Sequence, residues 1–218
     1  TTERVATAAS RAQLSSFRPV PGIAANRADY LRRIEGLTLG ISAAEGVFQQ
    51  NLFLHADLDL ALRFPAGWET QNTRQAVGAI SRRRDAMVYL EHGGAGDDPA
   101  AAAREYLEKE GSAMGLRVLT SQPIAIGDSK AWRASGTGAV AGAGGESVHF
   151  VITWIARGGV IFRLTGVSAA GIRNRHEGSF LNVARSFRAL SNEERSSIRE
   201  RALHIALARP GENLTDLA

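Results

Sequence analysis

The chain has 218 residues, 44% apolar and 22% charged, which is the composition of a folded protein. Its formal charge is +4, and only Lys109 and Lys130 among the 26 basic residues are lysines, so the high pI comes from arginine. It has no cysteine, which excludes disulfides, thiolate nucleophiles and Cys-based zinc sites, and no apolar run is long enough to span a bilayer.

Residues 1–28 are rich in Ala, Ser and Arg, with Pro19 and Pro21, and read as a linker or arm. The first residue is Thr1 and the last pair is Leu217-Ala218, so both ends read as cut. Tyr30, Leu31, Ile34 and Leu37 make a short amphipathic helix closed by glycines. At 58–64, Leu58, Leu60, Leu62 and Phe64 alternate with Asp59, Ala61 and Arg63, the pattern of a half-buried strand. Pro65-Ala66-Gly67 then turns the chain. Segments 76–81 and 86–91 read as strands joined by Arg82 to Asp85, and 93–96 as a flexible connection. The arginine run marks a strand end or turn, weighed against a polyanion site. Because the other arginines are dispersed without interleaved aromatics, nucleic acid is not an expected partner.

Asp98-Pro99 predicts a helix start, an acidic cap followed by proline in the first turn, with Gly115 as its stop. Strands are expected at 116–120, 123–126 and 130–136, and a glycine-rich hairpin loop at 138–145. Segment 148–156 is apolar on both faces and predicts a central strand. Arg157-Gly158-Gly159 reverses it into an antiparallel partner at 160–167. A helix is expected at 175–190. The capping box Ser191 to Glu194 opens a last helix through Ile198, Leu203 and Leu207, which Pro210-Gly211 breaks. The fold class is therefore α+β: an antiparallel β-sheet flanked by helices, with helical N- and C-terminal extensions. The expected division is 1–47 for a linker and joining helix, 48–190 for the α+β domain, and 191–218 for the C-terminal extension.

No catalytic constellation emerges. The five histidines include no pair three or four apart, and His-Glu-x-x-His is absent. Glycine-serine and glycine-rich strings complete neither a hydrolase elbow nor a phosphate loop. His149 beside Glu146 reads as a strand histidine rather than an acid–base pair. Trp68, Trp132 and Trp154 read as core-closing aromatics rather than a sugar platform. No metal or cofactor is expected in this chain.

A family resemblance adds to this. Phe53-Leu54-His55-Ala56-Asp57-Leu58, Phe64-Pro65-Ala66-Gly67-Trp68 and Asn72-Thr73 form one set of motifs. Tyr30 to Leu37 with Gly40, Glu45-Gly46-Val47, and Ser186 to Leu190 with Glu193-Glu194-Arg195 form the rest. Together they resemble the non-catalytic C-terminal region of bacterial periplasmic zinc metallopeptidases of the Ste24 and BepA-related type. The strand followed by Phe-Pro-x-Gly-Trp is similar to openings in PsbP-like domains. Pro210-Gly211-Glu212-Asn213-Leu214 looks like the first part of a LysM repeat, which the chain does not complete. The resemblance implies an exported accessory domain, in the periplasm or cell envelope, with zinc only in an upstream peptidase core. The partners would be that core or envelope proteins. A standalone envelope interaction module without enzymatic activity is the alternative. Loops carry function on a strand scaffold, which singles out 65–73, 93–99 and 138–146, with Trp68, Asn72 and Arg133 as candidate binding residues.

Overall fold

A computed structural model of the chain describes residues 26–37, 45–139, 147–198 and 203–206. The chain divides into two compact units, Thr1–Gly40 with Arg201–Ala218, and Ile41–Glu200. In the first, helix α1 (Arg27–Ile34) starts at an Asn26 cap whose side chain accepts from the Asp29 N–H. The Leu203 N–H and C=O bond the backbone of Leu37 and Gly36, and Glu35 accepts from the Ile205 N–H. The last helix is shorter than expected: it ends at Ser197, and Leu203 lies outside any helix. The LysM-like tail and the 140–146 segment of the glycine-rich loop lie outside the described residues.

The larger unit is built on two antiparallel sheets. The small one is β1 (Val47–Gln49), β2 (Leu52–His55) and β3 (Leu60–Arg63), in that order. The large one comprises β4 (Glu69–Asn72), β5 (Ala76–Ile80), β6 (Ala86–Ala95), β7 (Arg117–Ile126), β8 (Ser129–Ala139), β9 (Ser147–Arg157) and β10 (Val160–Ala169). Its spatial order is β4-β5-β6-β10-β9-β8-β7. The expected hairpin of a central strand and its partner is β9 and β10, joined at Gly158 and Gly159, both with positive φ as a tight primed turn requires.

Helix α2 (Pro99–Tyr106) begins at Asp98, whose carboxylate accepts from the Ala100 and Ala101 N–H groups at 3.0 Å. It widens into a π turn at Leu107–Gly111, and Gly115, at φ +67°, ends it. Helix α3 (Arg173–Arg185) begins two residues before the expected 175–190 segment and ends five residues before its end. Helix α4 (Asn192–Ser197) carries the complete Ser191–Glu194 capping box.

The two faces of the large sheet bury different cores. On one, Ala134, Phe150, Ile152, Trp154 and Ile161 pack against Ala103, Tyr106 and Leu107 of α2. On the other, Val88, Leu90, Val151, Ile155, Phe162 and Leu164 meet Phe180, Val183 and Ala184 of α3 and the small sheet. That second covering explains the main departures from sequence expectation. The 58–64 segment is not half-buried: Leu60, Ala61 and Leu62 of β3 are all buried, because Ala61 faces a further cluster with Leu54 and Leu190. The strand starts two residues late, since Asp59 adopts a left-handed φ of 47°, and Leu58 is exposed. Segments 116–120 and 123–126 form one strand. Pro123 is tolerated within it because β7 is an edge. Strand β6 continues through 93–95, with a bulge at Gly93, so Gly94 and Ala95 of the expected 93–99 loop are paired to β10.

Candidate functional site

A cleft of about 320 Å³ opens where β2 and β3 stand off from β5, β6 and β10. Phe53, Leu60, Val77, Leu90 and Phe162 form its floor, each buried, so the interior is apolar. Polar side chains gather at the rim: Glu45, His55, Asn72, Arg74, Glu91 and His92. The wall beside β4 is tied down by Asn72, whose Nδ2 donates to the carbonyls of Glu45 (2.9 Å) and Gly46 (3.2 Å). Gly46 has φ +83°, and a Cβ there would strike the Phe53 ring. The turn after Asn72 is closed by Thr73, which exchanges hydrogen bonds with the backbone of Ala76. On the other side Glu91 is held by Arg163 at 3.1 Å. An apolar interior with a few fixed polar groups at the mouth, at this volume, suits a small apolar group.

The three residues singled out from sequence fall in three places. Asn72 is at the cleft, where it braces the wall. Trp68 stands half-buried at the end of the large sheet, edge-on to His176 (5.6 Å between ring centroids) and to Phe180 (6.4 Å). It lines a second, open basin with Arg82, Arg83, Asp85, Arg175 and His176. Arg133 is on β8 beneath α3, where its Nη2 donates to Glu177 at 2.8 Å while its buried Nε has no partner. The other tryptophans behave as packing residues: Trp154 is fully buried, and Trp132 donates to Ser121 Oγ at 2.8 Å. Sequence reasoning missed the cleft, because its walls come from six strands and their connections, scattered over residues 45–162. The alternation of Leu60 and Leu62 marks an inward face without showing that a gap remains above it.

Two histidines are held below their ordinary pKa of 6.5. Burial is the main cause for both, partly offset by Glu177 at His149 and by Asp57 at His55. His149 is a strand histidine as expected, buried on β9 with neither ring nitrogen hydrogen-bonded. His55, at the cleft rim, accepts from the Leu58 N–H at 3.3 Å. Both pKa values are lowered on folding, so below pH 6.5 the unfolded chain binds protons that the folded chain does not. Stability is therefore expected to be full above pH 6.5 and to decline as pH falls below it. Urea unfolding at pH 7.5, 6.5 and 5.5, with His149→Phe as comparison, checks this. The variant should flatten the decline, and a wild-type stability independent of pH over that range would refute the assignment.

Among the described residues, no three His, Asp or Glu side chains gather where they could hold a metal ion. No helix there is long and apolar enough to cross a membrane. No protein-family model matches the sequence, and no curated protein matches it. Solved structures do match. CyanoP, a cyanobacterial PsbP from Synechocystis sp. PCC 6803, is 14% identical, with 70% of this chain and 99% of that one covered and a TM-score of 0.51. A Bacteroides thetaiotaomicron protein is 14% identical over 67% of this chain, with a TM-score of 0.46, and the match spans about half (51%) of its length. The Saccharomyces cerevisiae Ran-binding protein Mog1p is 8% identical over 62% of this chain and 92% of its own, with a TM-score of 0.47. At such identities the likeness concerns the fold alone. That fold is α+β, antiparallel sheets flanked by helices, as in CyanoP.

Proposed function

We propose that this chain is a non-catalytic binding domain of the periplasm or cell envelope, whose cleft takes an apolar side chain from a segment of a partner protein. Its larger context is a zinc metallopeptidase, for which it positions the catalytic core or recruits substrate protein. The cleft between the two sheets carries the binding part of this reading. Its floor of Phe53, Leu60, Val77, Leu90 and Phe162 receives the side chain. Gln75, His92 and Arg74 at the rim supply hydrogen-bond groups for the flanking main chain. The metallopeptidase context is supported by the motif resemblance around Phe53 to Leu58 and Phe64 to Trp68.

A photo-crosslinking amino acid at Leu58, exposed at the cleft mouth, tests both parts in envelope preparations of the native host. Met87, exposed on β6 away from the cleft, serves as the control position. The expected result is an adduct specific to Leu58 that is lost when Val77→Trp fills the floor. Mass spectrometry identifying a zinc metallopeptidase supports the full reading. Another envelope protein supports the standalone module instead. Equal labelling from Leu58 and Met87, or none, overturns the cleft as the site.

A further inference from the structure

At one end of the large sheet lies a concentration of cations that is separate from the cleft and outnumbers the one carboxylate lining it. Three separate stretches of sequence supply it. The β5–β6 reversal contributes Arg82 and Arg83, with Arg84 at φ 57° making the turn possible. The turn before β4 contributes Gly67 and Trp68. The first turn of α3 contributes Arg175 and His176. Topology brings them together, because Ala86 at the start of β6 pairs with Ser168 near the end of β10, from which the chain passes into α3. The result is an open basin of about 580 Å³.

Four features of this basin point to an anion. First, Arg82 is pinned: its Nε donates to the Gly67 carbonyl at 2.9 Å, which orients the rest of the guanidinium at low entropic cost. Second, Arg83 is exposed and makes no ion pair among the described residues, while the single carboxylate present, Asp85, already serves others. It lies 3.2 Å from both Arg175 Nη1 and His176 Nε2 and accepts from Ser81 Oγ at 2.7 Å. Third, the N-terminus of the 13-residue α3 has no side-chain cap at Ile172 and no acidic residue in its first turn. That is the end where negative charge normally sits, and Arg173 and Arg175 stand there instead. Fourth, His176 is buried, with its side chain 9% exposed, and its Nε2 in the basin wall lies 3.2 Å from Asp85 Oδ1 in a geometry that makes no hydrogen bond, so its hydrogen-bonding capacity is unused among the described residues. An unsatisfied buried polar atom costs stability unless a partner reaches it.

We infer that the basin binds an oxyanion of the phosphate class, with Arg82, Arg83 and Arg175 as fork donors, His176 at its base, and Trp68 as a flat wall for the attached organic group. Three guanidinium forks converging on one space need more acceptor oxygens than a carboxylate offers, and a phosphate monoester has three. The confinement of the arginines to a basin, rather than a stripe, fits a single anionic group and not a polymer. This site is separate from the cleft, and its test is independent of the reading proposed above.

Titration of the whole chain with inorganic phosphate at low ionic strength, followed by NMR, reads the Trp68 indole and His176 ring signals directly. The expected result is saturable shifts of both. Arg83→Gln, an exposed change that leaves the core alone, should weaken binding roughly tenfold, the loss of one charge-assisted hydrogen bond. Arg104→Gln, equally exposed but on α2, should leave it unchanged. Absence of saturable shifts, or equal weakening by the two variants, overturns the proposal. Phosphatidylcholine vesicles with and without phosphatidic acid distinguish the source of the anion. Arg83-dependent binding to the phosphatidic acid vesicles assigns a lipid headgroup, and phosphate binding without vesicle binding assigns a free anion. Vesicle binding that Arg83→Gln does not reduce overturns the site.

Discussion

Trp154→Ala is expected to cost about 3–5 kcal/mol of unfolding free energy, as truncation of a fully buried aromatic does. For a domain of this size that is a fall in Tm of roughly 10 °C. Trp154 is completely buried on β9, in register with Trp132 of β8 and Arg163 of β10. Its indole packs edge-on to Tyr106 of α2 at 5.7 Å, and the Arg163 guanidinium lies over that phenol ring at 4.0 Å from its centroid. Removing the indole opens a void between sheet and helix that α2, with only eight regular α-helical residues, cannot collapse into without breaking its Asp98 cap. Trp154→Phe should cost much less. It leaves a smaller void and also deletes an indole N–H that is buried without a partner. Urea or thermal unfolding checks both. An alanine variant losing less than about 1 kcal/mol would mean that α2 contributes little to the fold.

Gly166→Ala is the second change expected to act strongly, and its direction is set by a ring. Gly166 sits on β10 between Val151 of β9 and Val88 of β6, and Phe180 of α3 lies directly on it. A Cβ at this position would fall 2.6 and 2.7 Å from Cδ1 and Cδ2 of Phe180, closer than packed carbon atoms come. The ring is fully buried among the residues that join α3 to the sheet, so it has nowhere to swing, and overpacking of this kind costs about 1–3 kcal/mol. Phe180→Ala alone should cost about 3–5 kcal/mol through the cavity it leaves. The double variant should be less destabilised than the sum of the two, because the atoms that the new methyl strikes are gone. Strict additivity in a double-mutant cycle would show that α3 shifts to admit the methyl.

Acid unfolding adds a second electrostatic window below that of the histidines. Glu194 is held at about 2 by its hydrogen bond from Arg188, helped by the Ser191 backbone, and Asp59 is held down mainly by its hydrogen bond from Arg157. These lowered values belong to the folded state, so their contributions are present above the ordinary carboxylate range and are lost as pH falls through it. Asp59 also accepts from Arg195 (2.6 Å) and the Leu190 N–H (3.2 Å), so its protonation loosens the segment that follows α3.

Much of the scaffold was legible because it is written in local chemistry. Asp98-Pro99 starts α2, Gly158-Gly159 turns β9 into β10, and Ser191 with Glu194 caps α4; each depends on a few adjacent residues and a backbone geometry that only certain side chains allow. The long apolar run of β9 announced a strand buried on both faces, and with it the centre of the sheet. The existence of two sheets was not legible. Strands β1, β2 and β4 have only three or four residues each, too few for a period to show, and they are defined by partners rather than by their own pattern.

The candidate sites follow the same division. Amino-acid order alone put Trp68, Gly67 and the arginine run at turns, because Gly and Pro chemistry is local. That Arg175 and His176 stand 90 or more residues away in sequence from Arg82 to Asp85, yet share Asp85 with that turn, was decided by the pairing of β6 with β10. The cleft likewise depends on how far the small sheet stands from the large one. That spacing is set by the side chains packed between them, Phe53, Phe64, Phe162 and Phe187 among others. Periodicity reports which way a side chain points, and only packing decides whether something meets it there.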